Sequence, residues 1–482
     1  MIPAGVWSIL SVLDVVVVVA TVEHILRTRR DPRGMMAWIL LLLLLPFLGL
    51  ILYLLVGRVP IQRKVRRRKR RRRLIEPVLS EQREALARSH DGRRVEGLGP
   101  TQAALMELAT RVSDTVVTRG NEVSLYHDAE QAFLTLGLAI EAARSHVHME
   151  YYIFADDETG RAMRDLLARK AREGVEVRLL LDAVGCWRLR RRFVDSLQRA
   201  GVEVAFFLPW GMSRRRFQLN CRNHRKLTVI DGQSGFFGSK NIGDAYLGRH
   251  EKYGPWRDTH LRVAGPCVTQ LQEVFVEDWH FATGKGLSSD RYFPTPVIRG
   301  DRLVQIVPSG PDDRADVLHQ LLYAAVSDAR DSICFITPYF VPDRAIILAL
   351  TSAAYRGVRV RLLLPARSDH WLVLWAGRSF YDVLLEAGVE VYEYDRGMLH
   401  SKVAIVDARW AMVGSANMDI RSFRINFELT SMLYDNDVAG ELQDDFDGLC
   451  ATARRVDLRD VERWGYGQTL AAGVARLATP LL

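Results

Sequence analysis

The chain has 482 residues, of which 48% are hydrophobic, and this excludes a disordered tail or a small disulfide-held domain. Its formal net charge is +9, but ten of the eleven residues from Arg63 to Arg73 are Lys or Arg, so the rest of the chain is close to neutral. A charge confined to one run argues against a protein whose whole surface tracks nucleic acid.

Two apolar segments open the chain, at about residues 6–26 and 35–56, and predict a membrane-embedded hairpin over residues 1–57. The second segment holds no charged residue, and a helix of that length, at about 1.5 Å per residue, crosses roughly 30 Å of hydrocarbon. Pro46 and Gly49 leave open a re-entrant alternative, in which this segment bends and never fully crosses. The basic run behind it predicts that the remaining chain lies on the cytoplasmic side.

An internal repeat follows, in which short β-branched runs alternate with helical patterns, as in α/β proteins. Gly174 of REGVEV recurs as Gly357, 183 residues further on, and Gly201 of RAGVEV recurs as Gly388, 187 residues further on. The repeat predicts two mixed-sheet α/β halves. The predicted divisions are a polybasic juxtamembrane segment and linker at 58–118, a first half at 119–296 and a second half at 297–482.

The candidate catalytic residues lie in two matching strings, HRKLTVID from 224 to 231 and HSKVAIVD from 400 to 407. Each string is typical of a strand, in which alternate side chains share a face, so each histidine points with the lysine two positions on. A neutral histidine can attack phosphorus or move a proton, and a lysine can stabilise phosphoryl oxygens, without a metal or a cofactor. Strand parity turns both aspartates to the opposite face, which favours a structural role for them. The predicted set is His224, Lys226, Asp231, His400, Lys402 and Asp407.

A G-S-x-N string follows each motif, and its small and polar residues suit a phosphate. An attacking histidine also needs its other ring nitrogen held by a carboxylate, which is expected just downstream. Lys240, inside the first G-S-x-N, either assists the phosphate or points to solvent. The predicted phosphate-binding residues are Ser239, Asn241, Ser415 and Asn417, and the predicted histidine-orienting residues are Asp258 and Glu428.

Together these strings match H-x-K-x4-D-x6-G-S-x-N, and the chain therefore resembles the phospholipase D superfamily over roughly residues 120–450. Within it, EYYIFADDETG, ITPYFVPD and SANMDIRSFRINFE are similar to bacterial cardiolipin synthases. The resemblance implies a phospholipase D fold, in which two halves form one active site about a pseudo-twofold axis. It also implies localisation at the bacterial inner membrane.

The reaction that this resemblance implies is phosphatidyl transfer between two phosphatidylglycerol molecules, giving cardiolipin and glycerol through a phosphatidyl-histidine. His224 is expected to be the nucleophile and His400 the general acid and base, with the reverse order left open. Asp258 is expected to orient His224, and Glu428 to orient His400.

Other functions remain open on the sequence alone. The motifs specify a phosphatidyl-enzyme but not its acceptor, so a hydrolytic phospholipase D or another phosphatidyltransferase is an alternative. A membrane-tethered nuclease and a non-catalytic scaffold fit less well. The expected partners are phosphatidylglycerol, anionic lipids and the membrane, with no nucleic acid, and the oligomeric state is left open.

Overall fold

A computed structural model describes residues 4–27, 32–54, 99–209, 221–249, 254–313 and 315–479. The basic run from Arg63 to Arg73, on which the predicted topology depends, lies outside these residues. The N-terminal helices group as one compact unit and most of the remaining chain as another.

The N-terminal unit contains α1 (Ala4–Arg27), α2 (Pro32–Leu44) and α3 (Pro46–Leu52). The second apolar segment breaks at Leu45 because Pro46 lacks an N–H and its ring disfavours a helical conformation in the preceding residue. The bend predicted at Pro46 is therefore present. Among the described residues, no helix combines the length and the hydropathy needed to cross a membrane. The membrane hairpin is not confirmed by this structure and stays a prediction.

The second unit is built on one mixed sheet whose described strands number 15. The first half contributes β1 (Thr118–Tyr126), β2 (His146–Tyr151), β3 (Glu176–Asp182), β4 (Glu203–Phe207), β5 (Lys226–Ile230), β6 (Ser234–Gly238) and β8 (His260–Ala264). The second half contributes β9 (Arg302–Ser309), β10 (Ser332–Ile336), β12 (Arg359–Pro365), β13 (Glu390–Tyr394), β15 (Val403–Val406), β16 (Trp410–Gly414), β18 (Glu428–Leu433) and β19 (Arg454–Val456). Two short pairs lie outside this sheet, β7 (Trp256–Arg257) with β14 (Met398–Leu399) and β11 (Phe340–Val341) with β17 (Met418–Asp419).

The strand order shows the repeat directly. The first half runs β1-β8-β6-β5-β2-β3-β4 and the second runs β9-β18-β16-β15-β10-β12-β13, with β1 and β9 antiparallel at the junction. In each half the strands β2-β3-β4 or β10-β12-β13 are parallel, and the other pairings are antiparallel. The predicted two-half mixed sheet is confirmed.

Helices cover both faces of this sheet. Helix α4 (Pro100–Ser113) precedes the first half, and its Leu105 and Ala109 share a core with residues of the second half. The described helices of the first half are α5 (Ala129–Glu141), α6 (Glu158–Arg172), α7 (Arg191–Arg199) and α8 (Cys267–Thr283). Those of the second half are α9 (Val317–Asp328), α10 (Arg344–Tyr355), α11 (Trp371–Arg378), α12 (Tyr381–Glu386), α13 (Ile420–Arg424), α14 (Asn436–Thr452), α15 (Leu458–Glu462) and α16 (Tyr466–Ala478). Leu271 and Phe275 of α8 share one core with Leu442 and Phe446 of α14, so a single apolar layer joins the halves. This layer fixes the two motifs relative to each other.

Candidate active site

Each motif histidine is attached by its backbone to the opposite half of the sheet. The amide of His224 donates to the carbonyl oxygen of Phe427 at 2.9 Å. The amide of His400 donates to the carbonyl oxygen of Arg257 at 2.8 Å, next to the parallel pair of β14 and β7. The predicted meeting of the two motifs therefore occurs at the boundary between the halves.

The orienting carboxylates contact the histidines, but in crossed pairs. The Nδ1 atom of His224 lies 3.0 Å from Oε2 of Glu428, and that of His400 lies 3.1 Å from Oδ1 of Asp258. The pairing of Asp258 with His224 and of Glu428 with His400 was wrong. The reason is the backbone pairing just described, because the residue after Phe427 or Arg257 necessarily lies beside the motif of the other half.

The serines of the two G-S-x-N strings contact carboxylates. Ser239 Oγ donates to Asp258, and Ser415 Oγ donates to Oε2 of Glu428 at 2.6 Å. Both serines are almost completely buried. Each hydroxyl therefore holds the carboxylate that orients a histidine, and phosphate binding by the two serines stays a prediction.

The two asparagines are also buried, and their environments differ. Asn241 Oδ1 accepts a hydrogen bond from the Ile153 amide at 3.1 Å, whereas Asn417 Oδ1 has no hydrogen-bond partner among the described residues. Phosphate binding by the asparagines stays a prediction.

Each motif lysine contacts the backbone of the histidine two positions before it. Lys226 Nζ donates to the carbonyl oxygen of His224 at 2.5 Å, and Lys402 Nζ donates to that of His400 at 2.6 Å. Burial lowers the pKa of Lys226 to about 7 and that of Lys402 to about 8, and nearby carboxylates oppose this effect. The site therefore concentrates two ammonium groups where a phosphate anion would relieve their repulsion.

The histidines are held in the neutral form in the free protein. Burial lowers the pKa of His224 to about 4, with Lys226 and Lys402 acting in the same direction against Glu428. Burial and Lys402 likewise lower the pKa of His400. With Nδ1 bonded to a carboxylate, the proton of a neutral imidazole lies on Nδ1 and the lone pair lies on Nε2.

Both carboxylates are ionised despite their burial. Burial opposes ionisation of Asp258, but His400, Lys402 and Lys240 outweigh it and lower the pKa of that carboxyl. The pKa of Glu428 is lowered against burial by His224, Lys226 and the Ser415 hydroxyl. Each histidine therefore faces a negative charge that can stabilise its protonated form.

The motif aspartates lie at the far ends of their strands, away from the histidines. Asp231 accepts hydrogen bonds from the amides of Arg144, Ser145 and His146 at 2.8–2.9 Å. Asp407 does the same for the amides of residues 330–332. Both have φ of 52°. These contacts agree with the structural role that strand parity favoured, and the inclusion of both aspartates among the catalytic residues stays a prediction.

Sequence reasoning missed Arg225, which lies between His224 and Lys226. It is almost completely buried, forms an ion pair with Asp278 and donates through Nε to the carbonyl oxygen of Glu428 at 3.0 Å. Strand parity could have found it, because the position between His and Lys faces the core, where an arginine requires a partner.

Lys240 does not point to solvent, and its assistance to the phosphate stays a prediction. Its side chain is buried behind the G-S-x-N turn, with Nζ 6.0 Å from the centre of the Phe133 ring and without a hydrogen-bond partner among the described residues. Its charge acts on Asp258 and not at the solvent-facing side of the site.

Comparison with known proteins agrees with this arrangement. The family model described as "Cardiolipin synthase, PLD-like domain" matches residues 138–279 and 322–450, and one described as "Phospholipase_D-nuclease N-terminal" matches residues 15–58. The chain is 40% identical to a cardiolipin synthase of Geobacillus thermodenitrificans over 99% of this chain and 94% of that protein. It is 36% identical to one of Oceanobacillus iheyensis over 99% and 100%, respectively.

Among solved structures, a phosphatidylserine synthase of Haemophilus influenzae superposes with a TM-score of 0.59 at 13% identity. The match covers 79% of this chain and all of that one. At this identity the likeness concerns the fold alone, and it agrees with the predicted phospholipase D fold.

Proposed function

The chain belongs to the cardiolipin synthase family of phospholipase D-like phosphatidyltransferases, and from this we propose that it joins two phosphatidylglycerol molecules into cardiolipin and glycerol. The observation that carries the proposal is the pair of buried histidines, each with Nδ1 on a carboxylate of the opposite half. Such a pair can act on one phosphorus, one histidine as nucleophile and the other as proton carrier.

In the first step, Nε2 of His224 attacks the phosphorus of one phosphatidylglycerol. The bond to the glycerol oxygen breaks, and glycerol leaves with a proton from Nε2 of His400, which takes up that proton when the anionic phosphodiester binds. In the second step, His400 takes the proton of a hydroxyl on a second phosphatidylglycerol, whose oxygen displaces His224 from phosphorus. Both imidazoles return to their starting state.

The assignment of His224 as nucleophile rests on its hydrogen bonds. Its Nδ1 faces two acceptors, Glu428 at 3.0 Å and the carbonyl oxygen of Ser415 at 3.1 Å, so the proton is held on Nδ1 and the lone pair is on Nε2. Nδ1 of His400 lies within 3.2 Å of both oxygens of Asp258, which is ionised and can stabilise an imidazolium. An anionic phosphodiester between the rings favours that protonated form.

The lysines supply the positive charge that the reacting phosphate needs. Lys226 and Lys402 are proposed to stabilise the charge on its non-bridging oxygens, together with Asn241 and Asn417. We further propose that the protein works at the bacterial cell membrane with its catalytic unit on the cytoplasmic side, since its two apolar segments precede a run of basic residues.

The test is an assay of purified protein in liposomes containing labelled phosphatidylglycerol. His224→Ala and His400→Ala should each abolish cardiolipin formation. His319→Ala is the matched control, because His319 also pairs with a carboxylate, Asp343 at 3.0 Å, but belongs to α9. Unchanged cardiolipin formation in either motif variant would refute the assignment, and phosphatidic acid as the sole product would favour the hydrolase.

A substrate with a p-nitrophenol leaving group separates the roles of the two histidines, since this group departs without a general acid. His400→Ala should still release one equivalent of p-nitrophenol and accumulate the phosphatidyl-histidine. His224→Ala should release none. The opposite pattern would assign the nucleophile to His400.

A further inference from the structure

Two exposed tryptophans occupy equivalent places in the two halves, one in a loop and the other at the first residue of α11. Trp187 follows β3 and Trp371 follows β12, the strands that occupy matching places in the sheet. They are 184 residues apart, within the range of 183 to 187 that separates the repeated glycines. The two residues are 65% and 62% exposed. Packing within either half gives no reason for an indole to stand in solvent at the same place twice.

Both loops leave the sheet at the edge that carries the histidines. Lys226, at the start of β5, lies opposite Tyr151, at the end of β2, and β3 runs parallel to β2. The loop after β3 therefore begins at the edge where His224 lies. The second half repeats the pattern, with Val403 of β15 opposite Ile336 at the end of β10, parallel to β12.

Acidic residues of both loops act on the active-site lysines, which places the loops at the border of the site. Asp182, the last residue of β3, accepts from the amide of Asn223 at 3.0 Å and counts among the carboxylates that oppose the lowered pKa of Lys226. Asp369, two residues before Trp371, has the same effect on the pKa of Lys402.

The loop charges select an anionic surface. Arg188 stacks over the Trp187 ring with its guanidinium carbon 5.1 Å from the ring centre, and residues 190–192 add three exposed arginines. No acidic residue occurs from 183 to 192. In the other loop Arg367 and His370 are exposed, but so is Asp369, which lies 3.7 Å from His370, so the positive charge is concentrated beside Trp187. Indole rings favour the boundary between head groups and acyl chains, and arginines bind anionic head groups there.

We propose that the loop bearing Trp187 and the loop that ends at Trp371 dock the catalytic unit on an anionic phospholipid bilayer, one anchor on each side of the active-site opening. The inference rests on the proposed function in taking a membrane lipid as substrate. Docking at two symmetric points holds both histidines at the depth of the lipid phosphates. It also lets both phosphatidylglycerol molecules enter from one leaflet.

The test is position-specific and uses the full chain. An environment-sensitive fluorophore is attached to the Trp187→Cys or the Trp371→Cys variant. Its quenching is then measured in vesicles that contain spin-labelled quencher lipids. The matched control is Tyr355→Cys, since Tyr355 is 74% exposed and ends the helix before β12, at the opposite edge of the sheet. Strong quenching at 187 and 371 in phosphatidylglycerol vesicles, with none at 355, is expected. Absent quenching at either tryptophan position, or equal quenching at 355, would overturn the proposal.

Kinetic measurements provide a second test of docking. Trp187→Ala with Trp371→Ala should raise the apparent KM for vesicle phosphatidylglycerol at least about tenfold. The kcat/KM for short-chain phosphatidylglycerol below its micelle concentration should not change. An equal loss on both substrates would assign the tryptophans a role inside the site and overturn docking. If wild type formed no cardiolipin, the proposed function would fail while the quenching experiment still reported on docking.

Discussion

Arg225 and Ser401 occupy the same position in the two halves, between the histidine and the lysine of each motif. Arg225 donates to the backbone oxygen of Glu428 at 3.0 Å, whereas Ser401 accepts a hydrogen bond from Thr259 at 3.0 Å. Each contact joins a motif to the carboxylate-bearing segment of the opposite half. One half makes this joint with a buried ionic network and the other with a hydroxyl pair.

The two carboxylates also differ in the groups that hold them. Glu428 is held by hydroxyls, those of Ser415 at 2.6 Å and Ser422 at 2.9 Å. Asp258 takes hydrogen bonds from Ser239 and from the indole of Trp256, and the buried charge of Lys240 lies behind it. The two halves therefore share the geometry of the site, while the surrounding residues give the two imidazoles different environments.

The largest expected effect comes from breaking the crossed pairs. Glu428→Gln should lower cardiolipin formation by about 10³-fold, because a neutral amide neither stabilises the imidazolium nor fixes the tautomer. Although Glu428 lies in the second half, the variant should fail to form the phosphatidyl-histidine from the p-nitrophenol substrate, as His224→Ala does. Asp258→Asn should lose similar activity on phosphatidylglycerol yet retain that first step. A normal burst from Glu428→Gln would contradict the crossed pairing.

The next largest effect is a loss of stability at Arg225 and Ser401, which connect each motif to the opposite half. Arg225→Met leaves Asp278 buried without its ion-pair partner, next to Glu150, whose pKa is raised by burial and by Asp278 itself. Removing one partner of a buried ion pair costs about 3–5 kcal/mol. Ser401→Ala, the equivalent change in the other half, removes one hydroxyl hydrogen bond and should cost only about 1 kcal/mol. Thermal unfolding in the same detergent measures both, and equal losses would refute the asymmetry.

A smaller and symmetric effect is expected at the motif aspartates. Asp231→Ala and Asp407→Ala each strip the acceptor from backbone amides and place alanine at positive φ, at a cost of about 1–3 kcal/mol. Asparagine keeps one oxygen and tolerates this conformation, so the Asn variants should lose less. The kcat of the folded fraction should stay near that of wild type. A large kcat loss with unchanged thermal stability would place the aspartates in the catalytic set.

The sequence predicted the fold because the repeat and the β-αβ alternation are local patterns. It also predicted the two histidines, the two lysines and both carboxylates that meet at the site, since the matching strings and the carboxylates downstream of each can be read from the chain. It could not predict the crossed pairs, because the contact between residues 223 and 427 joins segments about two hundred positions apart. The contacts of Ser239 with Asp258 and of Ser415 with Glu428 lie within each half, and they depend on the pairing of a later strand, which the G-S-x-N string does not show.

The smallest effect tests the difference between the lysines, whose pKa values in the folded protein are about 7 for Lys226 and about 8 for Lys402. An unfolded lysine titrates near 10.4, so between the two values the unfolded chain binds more protons and stability rises with pH. Below the folded pKa the penalty of burying the charge is complete.

Lys226→Met removes that penalty and should therefore raise Tm at pH 6 by about 2 °C or more, while it lowers activity. The gain should shrink as the pH rises above about 7 and vanish above about 10.4, where the wild-type lysine is neutral in both states. Lys402→Met should show the same trend with a smaller gain, since its pKa is shifted less. A gain in Tm that is independent of pH would mean that methionine stabilises the protein by packing and not by removing a buried charge.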